Sequence, residues 1–89
     1  MGTASVDPGT ASMALALLEE LVTYQRKKVR EIACRIHPGL TDADIRNIRA
    51  FADVYQDPAF QFEEGQLAGL VSAQIALKAR LVAAALPQS

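Results

Sequence analysis

Eighty-nine residues, 51% of them hydrophobic, with a net charge of −1 and one cysteine, suffice for one small domain and no more. Trp is absent and only three Phe and two Tyr occur, so the apolar content is mostly Ala, Leu, Val and Ile, which suits helix packing better than a sheet. The near-neutral balance supplies no overall attraction for nucleic acid or an anionic membrane, and the lone Cys34 excludes an intramolecular disulfide and agrees with a reducing cytoplasm.

Residues 1–11 are rich in Gly, Thr, Ser, Asp and Pro. They are expected to form a disordered lead-in without the basic and apolar regions of a signal peptide. A single helical domain is expected over 12–87.

The first helix is predicted over 13–36 with Ser12 as N-cap. Leu15, Leu18, Val22, Val29, Ile32 and Ile36 follow heptad spacing, with Gln25 the only polar member of the series. Leu17, Leu21 and Tyr24 widen this face to roughly half the circumference, beyond a simple two-helix seam. Glu19, Glu20, Arg26, Lys27, Arg30 and Glu31 fill the other half. His37-Pro38-Gly39 ends the helix, because Pro38 disfavours α conformation at His37 and Gly39 suits a turn.

A short second helix is predicted over 42–53. Thr41-Asp42-Ala43-Asp44 opens it as a capping box with Asp in place of Glu or Gln, and Ile45, Ile48 and Ala52 form an apolar edge with Phe51 and Tyr55 beside it.

Asp57 as N-cap and Pro58 at the first helical position open the third helix, predicted over 58–86. It carries two stripes. Phe60, Leu67, Leu70, Val71, Ile75, Leu77 and Leu81 form a seam of large residues. Opposite them Gly65, Gly69, Ser72, Ala76, Ala79 and Ala83 recur at heptad spacing, and small residues let a second helix backbone come close. Alanine on an exposed face needs no such reason, but each glycine in a helix interior costs roughly 1 kcal/mol, which favours close packing. The longest uncharged run, Gly65 to Leu77, is too short for a bilayer span of about 20 residues.

The fold class expected is all-α: an antiparallel hairpin of two long helices with a short connecting helix, dimerising into a four-helix-type bundle. With the helix ends aligned, Gln25 falls level with Gln74, Arg35 with Glu64, and Glu20 near Lys78. Gln25 and Gln74 would then form one buried polar layer.

No catalytic, cofactor-binding or metal-binding residues are assigned. A carboxylate-bridged metal in a helical bundle uses Glu-x-x-His pairs on two helices, and the only histidine, His37, lacks a Glu three residues before it. Cys34 and His37 are close in sequence, but no third group orients them as a nucleophile and base. Arg26-Lys27-Lys28-Val29-Arg30, with Arg35, concentrates positive charge around several sides of the first helix. A nucleic-acid surface needs more charge than this and polar or aromatic readers. A solvated face with a Glu31–Arg35 ion pair is the ordinary explanation.

The function expected is a small interaction or scaffold module, acting through homodimerisation and a helical binding surface. Its partners are a second copy and another protein, without a cofactor or a membrane. A small-ligand or catalytic site at a dimer interface is the alternative.

Overall fold

The computed structural model describes residues 7–85. It is all-helical over that range, in the order α1 (Pro8–Ile36), α2 (Asp42–Arg46), a 3₁₀ turn (Ile48–Ala50), α3 (Ala52–Tyr55) and α4 (Pro58–Ala85). Residues 1–6 of the expected lead-in, and 86–87 at the far boundary of the expected domain, lie outside the described residues.

α1 starts five residues earlier than the sequence predicts. Asp7 caps it, its carboxylate accepting from the Thr10 N–H at 3.1 Å, and Pro8 occupies the first turn. A short carboxylate followed by proline is a stronger start signal than Ser12, because proline gives up no amide there and has its φ preset. The helix ends as expected at His37-Pro38-Gly39, with Gly39 at φ 90, a conformation costly to any residue with a Cβ.

The connecting segment departs from a single helix over 42–53. Its N-terminus is the expected capping box: the Asp44 N–H donates to Thr41 Oγ1 at 3.1 Å and the Thr41 N–H to Asp44 Oδ2 at 3.0 Å. The helix then breaks at Asn47 and again at Phe51. The reason lies in the spacing. Ile45, Ile48, Phe51 and Val54 recur every third residue, and in a straight α-helix the drift would place Val54 on the face opposite Ile45. Interrupting the helix with a 3₁₀ turn, which has three residues per turn, keeps all four against the core.

α1 and α4 form an antiparallel hairpin, and Asp57 caps α4 by accepting the Phe60 N–H at 3.0 Å. The core lies at the closed end, where Val29, Ala33, Leu40, Val54 and Phe60 are buried and Ile32, Ile36, Ile45, Ile48, Phe51 and Leu67 pack around them. Only here do the short helices supply a third wall. Along the open half each long helix is covered by its partner alone, and just Ala11 and Val22 are buried there together with Gln25. The chain is consequently a rod of 53 × 23 × 22 Å.

Candidate functional site

The two long helices present three features that stand out: a polar cluster between them, a bare outer face on α4, and a groove beside the core.

The polar cluster centres on Gln25, which the expected register pairs with Gln74. The structure pairs it instead with Glu63. The Gln25 amide donates to the Glu63 backbone carbonyl at 2.9 Å and to its Oε1 at 2.8 Å. Lys28 Nζ lies 3.3 Å from Glu63 Oε2. Gln25 is buried and Gln74 half-buried, and the two do not form one layer. The register therefore differs from the aligned-ends expectation by about three helical turns, and neither Arg35–Glu64 nor Glu20–Lys78 forms an ion pair. Carboxylate and amide together satisfy Gln25 better than a second amide would. Glu63 offers its charged oxygen and its own carbonyl at one level, and a hydrogen bond to a charged group is the stronger kind.

The Gln25 amide bonded to Glu63 holds its carboxyl below the ordinary glutamate value; partial burial opposes this, and Lys28 reinforces it. The Asp44 carboxyl is lowered chiefly by the Thr41 N–H, and that of Asp53 by His37, whose Nδ1 lies 2.8 Å from Asp53 Oδ2. A carboxyl whose folded pKa is depressed contributes stability above its unfolded value, and that contribution is lost as pH falls through the folded value. Below about pH 4.5 the hairpin is accordingly expected to lose stability progressively. Thermal melts across the acid range should show a shallower slope for Glu63→Gln than for the parent. A double-mutant cycle should find Gln25 coupled to Glu63, and the effects of Gln25→Ala and Gln74→Ala additive; an unchanged acid slope or coupling to Gln74 would contradict this arrangement.

On the outer face of α4, Gly65, Gly69, Ser72, Ala76, Ala79 and Ala83 are all exposed. They point away from α1. A Cβ built on Gly65 or on Gly69 meets nothing within 4 Å. Ile75, expected in the seam of large residues, lies instead at the edge of this outer face and is 62% exposed, as are Phe62 and Val82 to a similar degree. The reason is angular: at about 100° per residue Ile75 stands roughly 40° from Ala79 and 60° from Ser72, but about 120° or more from Leu70, Leu77 and Leu81. α1 has its own bare stripe in Met13, Leu17, Leu21 and Tyr24, spaced three and four residues apart.

The groove lies where α1, α2 and α4 meet. Two adjoining recesses of about 370 and 220 Å³ share Arg26, Val29, Ile45 and Leu67. Lys27 and Arg30 extend one, Arg46, Phe60 and Glu64 the other. The basic run of α1 was legible in sequence, but Arg46, which completes the groove from α2, lies outside it and carried no signal. The Glu31–Arg35 pair does not form. Arg30 pairs with Asp42 instead.

His37 is held by Asp53 and packs edge-on against Phe51, with ring centroids 5.1 Å apart. Cys34 is half-buried beside the core and makes no hydrogen bond to His37 among the described residues. The described residues contain no cluster of three or more metal-ligating side chains. No family model, curated protein or solved structure matches the chain.

Proposed function

We propose that this chain is an interaction module that works as a homodimer, with α4 of each protomer packed through its small-residue face. One observation carries the reading. Gly65 and Gly69 impose their helix cost although, among the described residues, no atom requires the space they leave. A backbone approaching from outside accounts for it, since Gly65 and Gly69, Ser72 and Ala76, and Ala79 and Ala83 each stand one turn apart in the pattern that lets helices meet closely.

Surface area supports the same conclusion. The accessible surface is 6606 Å², against about 5,100 Å² for a compact monomer of this mass. The radius of gyration is 17.3 Å, against about 12 Å for a globular chain of this length. The excess surface is of the size one protomer surrenders in a stable interface, about 800 Å² or more. The free Cys34 fits a reducing compartment, and a cytoplasmic location goes with this reading.

A lipid bilayer is the competing cover. α4 is long and apolar enough by composition to cross a membrane, with an 18-residue window of mean hydropathy 1.4, none of it buried. Against it, the uncharged run between Glu64 and Lys78 spans only about 20 Å, short of a hydrocarbon core of about 30 Å. Light scattering at tens of micromolar, without detergent, should give twice the chain mass. A monomer there would refute the dimer, and flotation of the protein with liposomes would transfer α4 to the bilayer.

A further inference from the structure

We infer that the groove between α1, α2 and α4 is a docking surface for an amphipathic helix of another protein, apolar along one edge and acidic on both flanks. This extends the interaction reading to a second face, and it does not depend on how the protomers associate.

The floor is aliphatic. Val29 and Phe60 are buried in it, and Ile45 and Leu67 are only half-buried, leaving apolar surface open to a ligand. The rim carries cations from two helices, Arg26 and Lys27 from α1 and Arg46 from α2. Arg30 is neutralised by Asp42. Among the described residues Arg26, Lys27 and Arg46 take part in no ion pair, and Glu64 lies in the same groove without closing on any of them. Three uncompensated cations around one apolar groove are notable in a chain whose net charge is −1.

The distribution of these charges selects the occupant. A single anionic head group needs cations that converge on one point, whereas these are spread over two adjoining recesses, Lys27 lining one, Arg46 the other and Arg26 both. A nucleic acid strand would gain nothing from Val29, Ile45 and Leu67, and would meet Glu64. A helix that lays an apolar ridge on the floor and sets carboxylates along both flanks satisfies floor and rim together. This is the recognition mode in which recurring apolar anchors give affinity and complementary charge gives register and rate. The groove extends along α1 from Arg26 to Ala33, about two helical turns, which matches two or three anchors at i, i+3 or i+4, and i+7.

The test uses the full chain and a panel of fluorescein-labelled peptides of about 14 residues, with Leu at i, i+3, i+4 and i+7 and Glu on both flanks. Each has two controls, a scrambled isomer and a version with Gln for every Glu. Fluorescence anisotropy should show saturable binding of patterned peptides, weakened roughly tenfold or more in both controls. The double change Arg26→Glu with Arg46→Glu should weaken binding by a similar factor, whereas Arg35→Glu, outside the groove, should not. Circular dichroism establishes that each variant is folded, and light scattering that its mass is unchanged. Failure of every patterned peptide to bind overturns the proposal. So does scrambled peptide binding as well as patterned peptide, or equal loss in Arg35→Glu. Displacement of bound peptide by a single-stranded oligonucleotide or by anionic vesicles at comparable charge would assign the groove to those polyanions instead. A fall in mass for Arg26→Glu with Arg46→Glu would assign it to a second copy of the chain. The dimer and the groove therefore fail separately, one by mass and the other by anisotropy at constant mass.

Discussion

Phe60→Ala is expected to leave the protein largely unfolded at room temperature. Phe60 is 2% exposed and is the largest fully buried side chain in the core, where it packs with Val54, Ala33 and Leu40. Removing a buried phenylalanine costs about 3–5 kcal/mol, through lost transfer free energy and the cavity left behind. A single core of this size supplies no more than about 3–5 kcal/mol in total, so the loss is comparable with the whole. Phe62 provides the contrast. It is the same residue type two positions away, yet 62% exposed, and within one chain its truncation costs little. Urea unfolding monitored by circular dichroism at fixed protein concentration measures both. A cost below about 1 kcal/mol for Phe60→Ala would mean the closed end is not where the stability resides. A large, concentration-dependent cost for Phe62→Ala would mean its ring is covered by a second protomer.

Gly69→Leu separates the two accounts of the α4 outer face by the sign of its effect. Inside one chain the Cβ of the new side chain meets no neighbour among the described residues within 4 Å. Helix propensity alone then predicts a gain of most of a kcal/mol. If the face is closed by another α4, the leucine must be accommodated where two backbones approach, with an overpacking cost of roughly 1–3 kcal/mol. The expected result is weaker association, with a lower melting temperature at dimer-forming concentration and a mass that shifts toward the monomer on dilution. Ala76→Leu should behave alike, because it shares the face and lies one heptad along. A raised melting temperature at unchanged mass would return the stripe to ordinary exposed surface.

The electrostatics of the hairpin fit this division of labour. Ion pairs and hydrogen bonds within the chain, Lys28–Glu63, Arg30–Asp42 and His37–Asp53, tie α1 to α4, to α2 and to α3 respectively. All three lie in the half of the rod that also holds the core. Beyond Gln25, the open half is joined by the buried Ala11 and Val22 and by half-buried apolar residues such as Leu15, Leu18, Leu70, Leu77 and Leu81. Stability within one chain is concentrated at one end, and the other end is free to be completed by association.

Apart from the Asp7-Pro8 start, passed over for Ser12, local chemistry was legible from the residues alone where a signal and its consequence lie within one turn. The Thr41–Asp44 box, the Asp57-Pro58 start and the His37-Pro38-Gly39 stop each satisfy or terminate backbone groups a few atoms away, and no tertiary contact is needed to decide them. The all-helical class followed from the same logic, since Ala- and Leu-rich stretches with 3.6-residue periodicity have no competing strand pattern. The sliding register was not legible. Two apolar stripes of leucine and valine pack comparably well at several offsets a turn apart, so the offset is set by whichever polar residue finds a partner, and Gln25 found Glu63 rather than Gln74. The break at Asn47 and Phe51 also required the fold, because only a core already bounded by α1 and α4 makes a three-residue spacing preferable to an unbroken helix. The groove's contribution from α2 is a matter of topology too, with Arg46 brought into one recess with Arg26 by the turn after α1. The small stripe on α4 stands between these cases. Its spacing is written in the sequence, but only the hairpin shows that α1 covers the opposite face and leaves the glycines open, since which side of a helix is buried depends on what the rest of the chain can reach.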